Sequence, residues 1–211
     1  MNIMEWKRVL HALPYIAILR GLIPENAIQI IGALQDAGFR AVEIPFNSPE
    51  PLKSLESAVE KFGDDLLLGG GTVLTSEDVT SVYNAGGRFV VSPNSNHNVI
   101  KTTKSFGMVS IPGVSTPSEA FAAVNVGADA LKLFPAENLP PVAVKAWRAV
   151  LPEDLWLLPV GGITPALVAP YLAAGANGFG LGSSLFQSDW STKEVVRAAQ
   201  TFVSAYRSLV V

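Results

Sequence analysis

The sequence predicts an α/β fold: a single (β/α)8 TIM barrel with an N-terminal helix, spanning residues 1–211 as one domain. Three observations carry that expectation. Eight short apolar runs begin near residues 15, 41, 66, 88, 108, 129, 155 and 178. Their spacing of roughly 20 to 26 residues suits one strand, one helix and two short loops, the crossover that parallel strands require. The first run ends in Leu19-Arg20-Gly21-Leu22 and lacks the G-x-G-x-x-G turn of the open doubly wound sheet, the competing architecture.

Met1 to His11 reads as a short amphipathic helix, a lid or plug. Tyr15 to Gly21 is a continuous apolar run ending in a charge and a glycine, the pattern of a strand buried on both faces of a parallel sheet. Pro24-Glu25 opens a helix, with proline in the first turn, and Gly38 stops it. Ala41 to Phe46 is the second strand, and a helix runs from Pro49 to Phe62. Leu66 to Gly70 is the third strand, and Thr75-Ser76-Glu77-Asp78 starts the helix that ends at Gly86-Gly87. Arg88 to Pro93 is the fourth strand, with a helix over Asn96 to Phe106. Met108 to Gly113 is the fifth, and the capping-box pattern Thr116-Pro117-Ser118-Glu119 opens the helix that stops at Gly127. Ala128 to Pro135 is the sixth strand, followed by a helix from Pro141 to Leu151. Leu155 to Val160 is the seventh, with Thr164-Pro165 opening a helix that ends at Gly175. Gly178 to Ser183 is the eighth, and Trp190 to Leu209 is a long closing helix.

Composition excludes several function classes. Nearly half the chain, 49%, is apolar, which supplies a sizeable core, while charge is sparse at 16% and nets −3. No basic run or aromatic-basic interleaving marks a nucleic-acid surface. No apolar run approaches the ~18 residues of a membrane-spanning helix, and the N-terminus lacks the apolar centre of a signal peptide. The absence of cysteine rules out disulfides and thiolate metal sites and fits a reducing cytosol. Only His11 and His97 occur, in no ligand-like spacing, which argues against a histidine metal site.

In a barrel the chemistry gathers at the C-terminal strand ends. In chain order these carry Arg20, Glu43, Thr72, Pro93, Pro112, Lys132, Gly161-Gly162 and Gly182-Ser183. Lys132 sits in the apolar run Ala128-Asp129-Ala130-Leu131-Lys132-Leu133-Phe134-Pro135, where an ammonium is costly to hold and tends to lose its charge. A desolvated neutral amine attacks carbonyls and forms a Schiff base; the bland alternative is an edge-strand lysine with its stem along apolar surface. Within their strands Ala41, Glu43 and Pro45 share one face, as do Ala130, Lys132 and Phe134. Glu43 can then shuttle protons and Arg20 can hold a carboxylate bidentately; the bland reading of Glu43 with Lys132 is a buried structural ion pair. The glycine loops after the seventh and eighth strands can cradle an anion on backbone N–H groups, often a phosphate.

Ile16 to Gly21, Val42-Glu43-Ile44, Gly69 to Leu74, Val91-Ser92-Pro93-Asn94, Ile111-Pro112-Gly113, Leu131 to Pro135 and Gly161-Gly162-Ile163 together resemble the 2-keto-3-deoxy-6-phosphosugar acid aldolases, over about Leu13 to Leu185. The resemblance implies a class I pyruvate aldolase: a cytosolic homotrimer of (β/α)8 barrels that needs no cofactor or metal. It cleaves a phosphorylated keto-deoxy acid to pyruvate and glyceraldehyde 3-phosphate, with neither nucleic acid nor membrane as partner. It implies Lys132 as the Schiff-base lysine and Glu43 as the acid/base. Arg20 and Thr72 match pyruvate-carboxylate contacts, and Pro93 and Phe134 match the site walls. Gly161, Gly162, Gly182 and Ser183 match the phosphate site.

Two departures separate the chain from the gluconate-type members. Asn47 stands where they carry a phosphate-binding arginine, and Val160 stands where they carry a threonine before the glycine pair. Both features are similar to the galactonate-type branch. An apolar Val160 in the substrate-binding wall suits a different configuration at C4, since a site that bonds one hydroxyl rejects its misplacement. The alternatives are the C4-epimeric gluconate-type aldolase, a metal-free sugar-phosphate isomerase barrel in which Lys132 is only an electrostatic group, and a non-catalytic barrel that senses a sugar phosphate.

Overall fold

Strand burial follows from the apolar runs. Tyr15–Ile18 (β1), Ala41–Pro45 (β2), Leu67–Gly71 (β3), Phe89–Val91 (β4) and Ala130–Leu133 (β7) are buried along their whole length. Val109–Ile111 (β5), Gly113–Val114 (β6), Trp156–Pro159 (β8) and Phe179–Leu181 (β9) complete the strands of the computed structural model, which describes residues 3–210. Met1, Asn2 and Val211, part of the expected N-terminal helix and of the 1–211 domain, lie outside the described residues. The helices between are α1 (Ile3–Leu10), α2 (Pro24–Asp36), α3 (Pro51–Phe62), α4 (Ser76–Asn84), α5 (His97–Ser105), α6 (Pro117–Asn125), α7 (Pro141–Arg148), α8 (Pro165–Ala173) and α9 (Thr192–Arg207).

Helix ends sit where local chemistry puts them. Capping boxes at Thr75 with Asp78, Thr116 with Glu119 and Ser191 with Glu194 satisfy the first free N–H groups of α4, α6 and α9. Proline occupies the first turn of α2, α3, α6, α7 and α8. Gly38, at φ 107°, turns the chain out of α2, a conformation that costs glycine little.

All the strand pairs are parallel. They form a six-stranded sheet ordered β5-β4-β3-β2-β1-β9 and a three-stranded sheet ordered β6-β7-β8. The expected fifth strand, Met108 to Gly113, is therefore not one unbroken strand. Pro112 divides it into β5 and β6, because proline has no N–H to add to the ladder. The Pro112 carbonyl still accepts from Lys132 N at 2.9 Å, so β7 lies alongside the break. A parallel bridge between Val160 and Gly180 joins the far end of the three-stranded sheet to β9. The result is an α/β fold of curved parallel sheet with helices outside.

Alternation along the strands splits the core in two. Tyr15, Ala17, Val42, Ile44, Leu131 and Leu133 face the helices. Ile16, Ala41, Leu67, Phe89, Val109, Ala130 and Leu158 form a separate inner cluster. Trp6 and Leu10 of α1 join that inner cluster. Its strand members lie mostly at strand starts, so α1 closes the N-terminal end and leaves the C-terminal ends as the mouth. Trp6 packs edge-on against Trp156 at 5.3 Å between ring centroids, and Lys7 Nζ donates to the Asp154 carbonyl at 2.5 Å. On the outside, Tyr15 Oη donates to the Phe202 carbonyl at 3.1 Å and ties β1 to α9. Asp129, the other charged residue of the sixth apolar run, pairs with Lys104 Nζ at 2.7 Å and accepts from Ser110 N at 2.8 Å. That leaves Lys132 as the charge with an inward address.

Trp6→Ala empties the floor of the inner cluster. The expected cost is about 3–5 kcal/mol of stability, read as a lowered urea midpoint at unchanged slope; a midpoint like that of the unaltered chain would mean α1 does not close the floor.

Candidate functional site

Lys132 lies on the inner face of β7, between Gly113 and Leu158 of the neighbouring strands, and is only 3% exposed. Burial pushes its amine below the usual lysine range. The Glu43 charge opposes that shift and the Arg20 charge reinforces it. Nζ sits 4.7 Å from the centre of the Phe134 ring, two residues along the same face. Desolvation of this kind favours the neutral, nucleophilic form of an amine.

Glu43 occupies the inner face of β2 and is 1% exposed. Burial raises its carboxyl pKa, against the lowering pull of Lys132 and then Arg20. For both groups desolvation is the larger influence and their mutual attraction the smaller, opposing one. Glu43 Oε1 has no hydrogen-bond partner among the described residues. The space for this carboxylate comes from glycine. A Cβ on Gly71, next door on β3, would fall on the Glu43 carboxyl group, 2.8 Å from Cδ. The Gly69-Gly70-Gly71 run carried that signal in the sequence, but strand pairing was needed to say which side chain each glycine makes room for.

Arg20 stands exposed at the rim, just past β1. Its loop is pinned by the buried Ser48, whose Oγ accepts from Gly21 N at 2.9 Å and donates to the Leu19 carbonyl at 3.5 Å. Thr72 follows β3 at φ 54°, a left-handed conformation that a β-branched residue adopts at a cost, of the sort found at functional sites. Pro93 follows β4, and the neighbouring Ser92 Oγ donates to the Val73 carbonyl at 2.7 Å.

A cleft of about 670 Å³ opens at this end. Of the residues singled out in the sequence, Arg20, Lys132, Phe134, Val160, Gly161, Gly162, Gly182 and Ser183 line it. Glu43 lies buried within charge range of Lys132 and Arg20, while Thr72 and Pro93 stand at the ends of β3 and β4, off the cleft wall. Gly161 and Gly162 have φ of 104° and 59°, so both need glycine. Sequence reasoning missed Glu137 and the segment from Phe186 to Asp189, which also line the cleft. The position of Glu137, in the turn just after the Lys132 strand, was the available signal. Among the described residues, no group of three or more His, Cys, Asp or Glu is placed to hold a metal ion, and no helix is long and apolar enough to cross a membrane.

The arrangement brings together a buried amine, a buried carboxyl group and a guanidinium at the entrance. Comparison with known proteins points the same way. The family model "Aldolase: KDPG and KHG aldolase" matches residues 6–201. The chain is 44% identical over 207 residues to the 2-dehydro-3-deoxy-6-phosphogalactonate aldolase of Escherichia coli (strain K12), covering 98% of this chain and 100% of that one. It is 48% identical over 193 residues to a Rhizobium meliloti (strain 1021) protein named "Probable 2-dehydro-3-deoxy-6-phosphogalactonate aldolase", covering 92% and 91%. A solved structure titled "Native KDPGal structure" superposes with a TM-score of 0.92 at 44% identity, over 94% of this chain and 96% of that one.

The lowered Lys132 pKa has a stability signature. Between that pKa and 10.5 the unfolded chain binds a proton at Lys132 that the folded chain does not, so stability should rise with pH through that window. In Lys132→Met this contribution disappears. Urea midpoints measured against pH should show the unaltered chain gaining on the variant as pH rises towards 10.5; parallel curves would mean that Lys132 is not desolvated.

Proposed function

The chain belongs to the KDPG and KHG aldolase family, and from that premise we propose that it is a class I aldolase, a carbon–carbon lyase. It cleaves 2-dehydro-3-deoxy-6-phosphogalactonate to pyruvate and D-glyceraldehyde 3-phosphate, in galactonate breakdown. The observation that carries the chemistry is the buried Lys132 amine, with a lowered pKa, sharing an inner chamber with the buried Glu43 carboxyl group. The observation that carries the substrate is identity to the galactonate aldolases along nearly the whole chain.

The neutral Lys132 Nζ adds to the C2 carbonyl, and the carbinolamine loses water to leave a protonated imine. The Glu43 carboxylate takes the proton of the C4 hydroxyl. The C3–C4 bond then breaks, its electron pair moves into the C2–C3 bond, and the iminium nitrogen is neutralised as the enamine forms. Glyceraldehyde 3-phosphate leaves as the aldehyde. Glu43 returns its proton to C3, and water hydrolyses the resulting imine to pyruvate and free lysine. The low-dielectric chamber favours each step that trades a charge between the two groups. Arg20 meets the substrate carboxylate as a planar fork, with Phe134 as a wall, and the family resemblance adds Thr72 as a second carboxylate contact and Pro93 as a further wall, from strand ends just outside the cleft lining. The glycine loops at Gly161-Gly162 and Gly182-Ser183 offer backbone N–H groups to the phosphate, and Val160 forms a wall along the sugar chain. The reaction draws on no cofactor.

The same reading covers the architecture. The two sheets are halves of one (β/α)8 barrel, seamed at the Pro112 break and at the Val160–Gly180 bridge, and residues 1–211 make one catalytic domain. Family resemblance supports a homotrimer working in the cytoplasm on a small phosphorylated keto-deoxy sugar acid.

Borohydride added with pyruvate should inactivate the enzyme irreversibly and leave a pyruvyl adduct on Lys132, located by peptide mass spectrometry. Turnover without an adduct would overturn the Schiff base. Val160→Thr, which adds a hydroxyl to the wall, should move the ratio of kcat/KM for the two C4 epimers towards the gluconate form by about 10-fold. An unmoved ratio would remove Val160 from the specificity wall.

A further inference from the structure

The Arg20 guanidinium makes no hydrogen bond or ion pair with any described residue, although its charge is felt at both Glu43 and Lys132. Where that side chain can reach is therefore set by its backbone. The pairing of β1 with β2 ends at Ile18 opposite Glu43, and Leu19 N donates to the Glu43 carbonyl at 3.1 Å. Past that point β2 turns away, and Ser48 N donates to the Pro45 carbonyl at 2.9 Å to close the turn. Arg20 stands just beyond the ladder.

The Ser48 side chain takes over there. The residue is 8% exposed, and its hydroxyl reaches back to β1 on both sides of Arg20. Oγ accepts from Gly21 N at 2.9 Å and donates to the Leu19 carbonyl at 3.5 Å. Gly21 has a φ of 86°, and a Cβ added to it would fall 3.1 Å from Ser188 Cβ. The peptide units before and after Arg20 are thus both tied to a buried side chain, and the next residue is confined by a neighbouring loop. A loose Arg20 would have other partners. Glu137 and Asp189 line the same cleft and are both exposed, so either carboxylate would draw a wandering guanidinium away from Lys132. A backbone fixed in advance also lowers the ordering cost when the anion arrives.

Resting on the aldolase reading above, we propose that Ser48 is a positioning residue for substrate recognition: its hydroxyl replaces the ladder that β2 no longer supplies and fixes the Arg20 backbone, so that the guanidinium meets the carboxylate of the keto acid held at Lys132. Ser48 belongs to the turn that follows the Glu43 strand. The carboxylate contact and the acid/base therefore stay in register with each other.

Borohydride trapping of the Lys132 adduct tests this, read as a function of keto-acid concentration. Ser48→Ala should raise the half-saturating pyruvate concentration about 10-fold, the scale of one hydrogen bond to a charged group, and leave the rate at saturation within about twofold. Pyruvamide, neutral where pyruvate carries its carboxylate, should be trapped by Ser48→Ala within about twofold of the unaltered chain. In an Arg20→Ala background, Ser48→Ala should cost less than about twofold more, because the group it positions is gone. Should Ser48→Ala fail to fold, Ser48→Cys, which keeps the volume with a weaker donor and acceptor, runs through the same cycle. An unchanged half-saturation, an equal loss on pyruvamide, or an undiminished loss in the Arg20→Ala background overturns the assignment. Absence of any adduct on the unaltered chain fails the aldolase reading itself, whereas an adduct with a failed cycle fails only Ser48.

Discussion

An amine and a carboxyl group held away from water constrain everything else in this molecule. Lys132 and Glu43 are each almost wholly buried, and for each the loss of solvent outweighs the attraction of the other. Such a pair adds little to folding, since replacing buried ions by apolar groups is often neutral or stabilising. The surrounding structure has to hold it in place. Strand pairing on both sides of β7 does so for Lys132, and the missing side chain of Gly71 does so for Glu43.

The two ends of the strands divide the work. At the start of the strands, Trp6 and Leu10 of α1 seal an apolar cluster, and the backbone there is rigid because its side chains interdigitate. At the other end Glu43, Gly71 and Lys132 interrupt the apolar inner face, and the loops carry Arg20, Thr72, Glu137 and the glycine pair. Glu43 and Lys132 therefore sit two residues above Ala41 and Ala130 of that packed floor. That position limits their motion without filling the cavity they serve.

Glycine has three different duties in this site. Gly71 vacates space for a neighbouring strand's carboxylate, Gly161 and Gly162 supply left-handed backbone beneath Glu137, and Gly182 leaves the cleft open. The residues look alike in sequence. Only their neighbours distinguish them.

Much was legible from the chain alone. Apolar runs at strand length, the proline-opened and capping-box helix starts, and a lysine and a glutamate placed inward by alternation follow from local physics, which acts over a few residues. The break at Pro112 was foreseeable in principle, because a residue without an N–H cannot complete a ladder, yet the run Met108 to Gly113 is apolar enough to read as one strand. What the sequence could not contain is who faces whom. That Asp129 is neutralised by Lys104 while Lys132 is not, that Gly71 serves Glu43, and that Glu137 lies on Gly161 and Gly162 are contacts between residues far apart in the chain. They exist only once the sheets curve and bring strand ends together, and burial, the cause of both shifted pKa values, is a property of that assembled interior and of no single stretch of sequence.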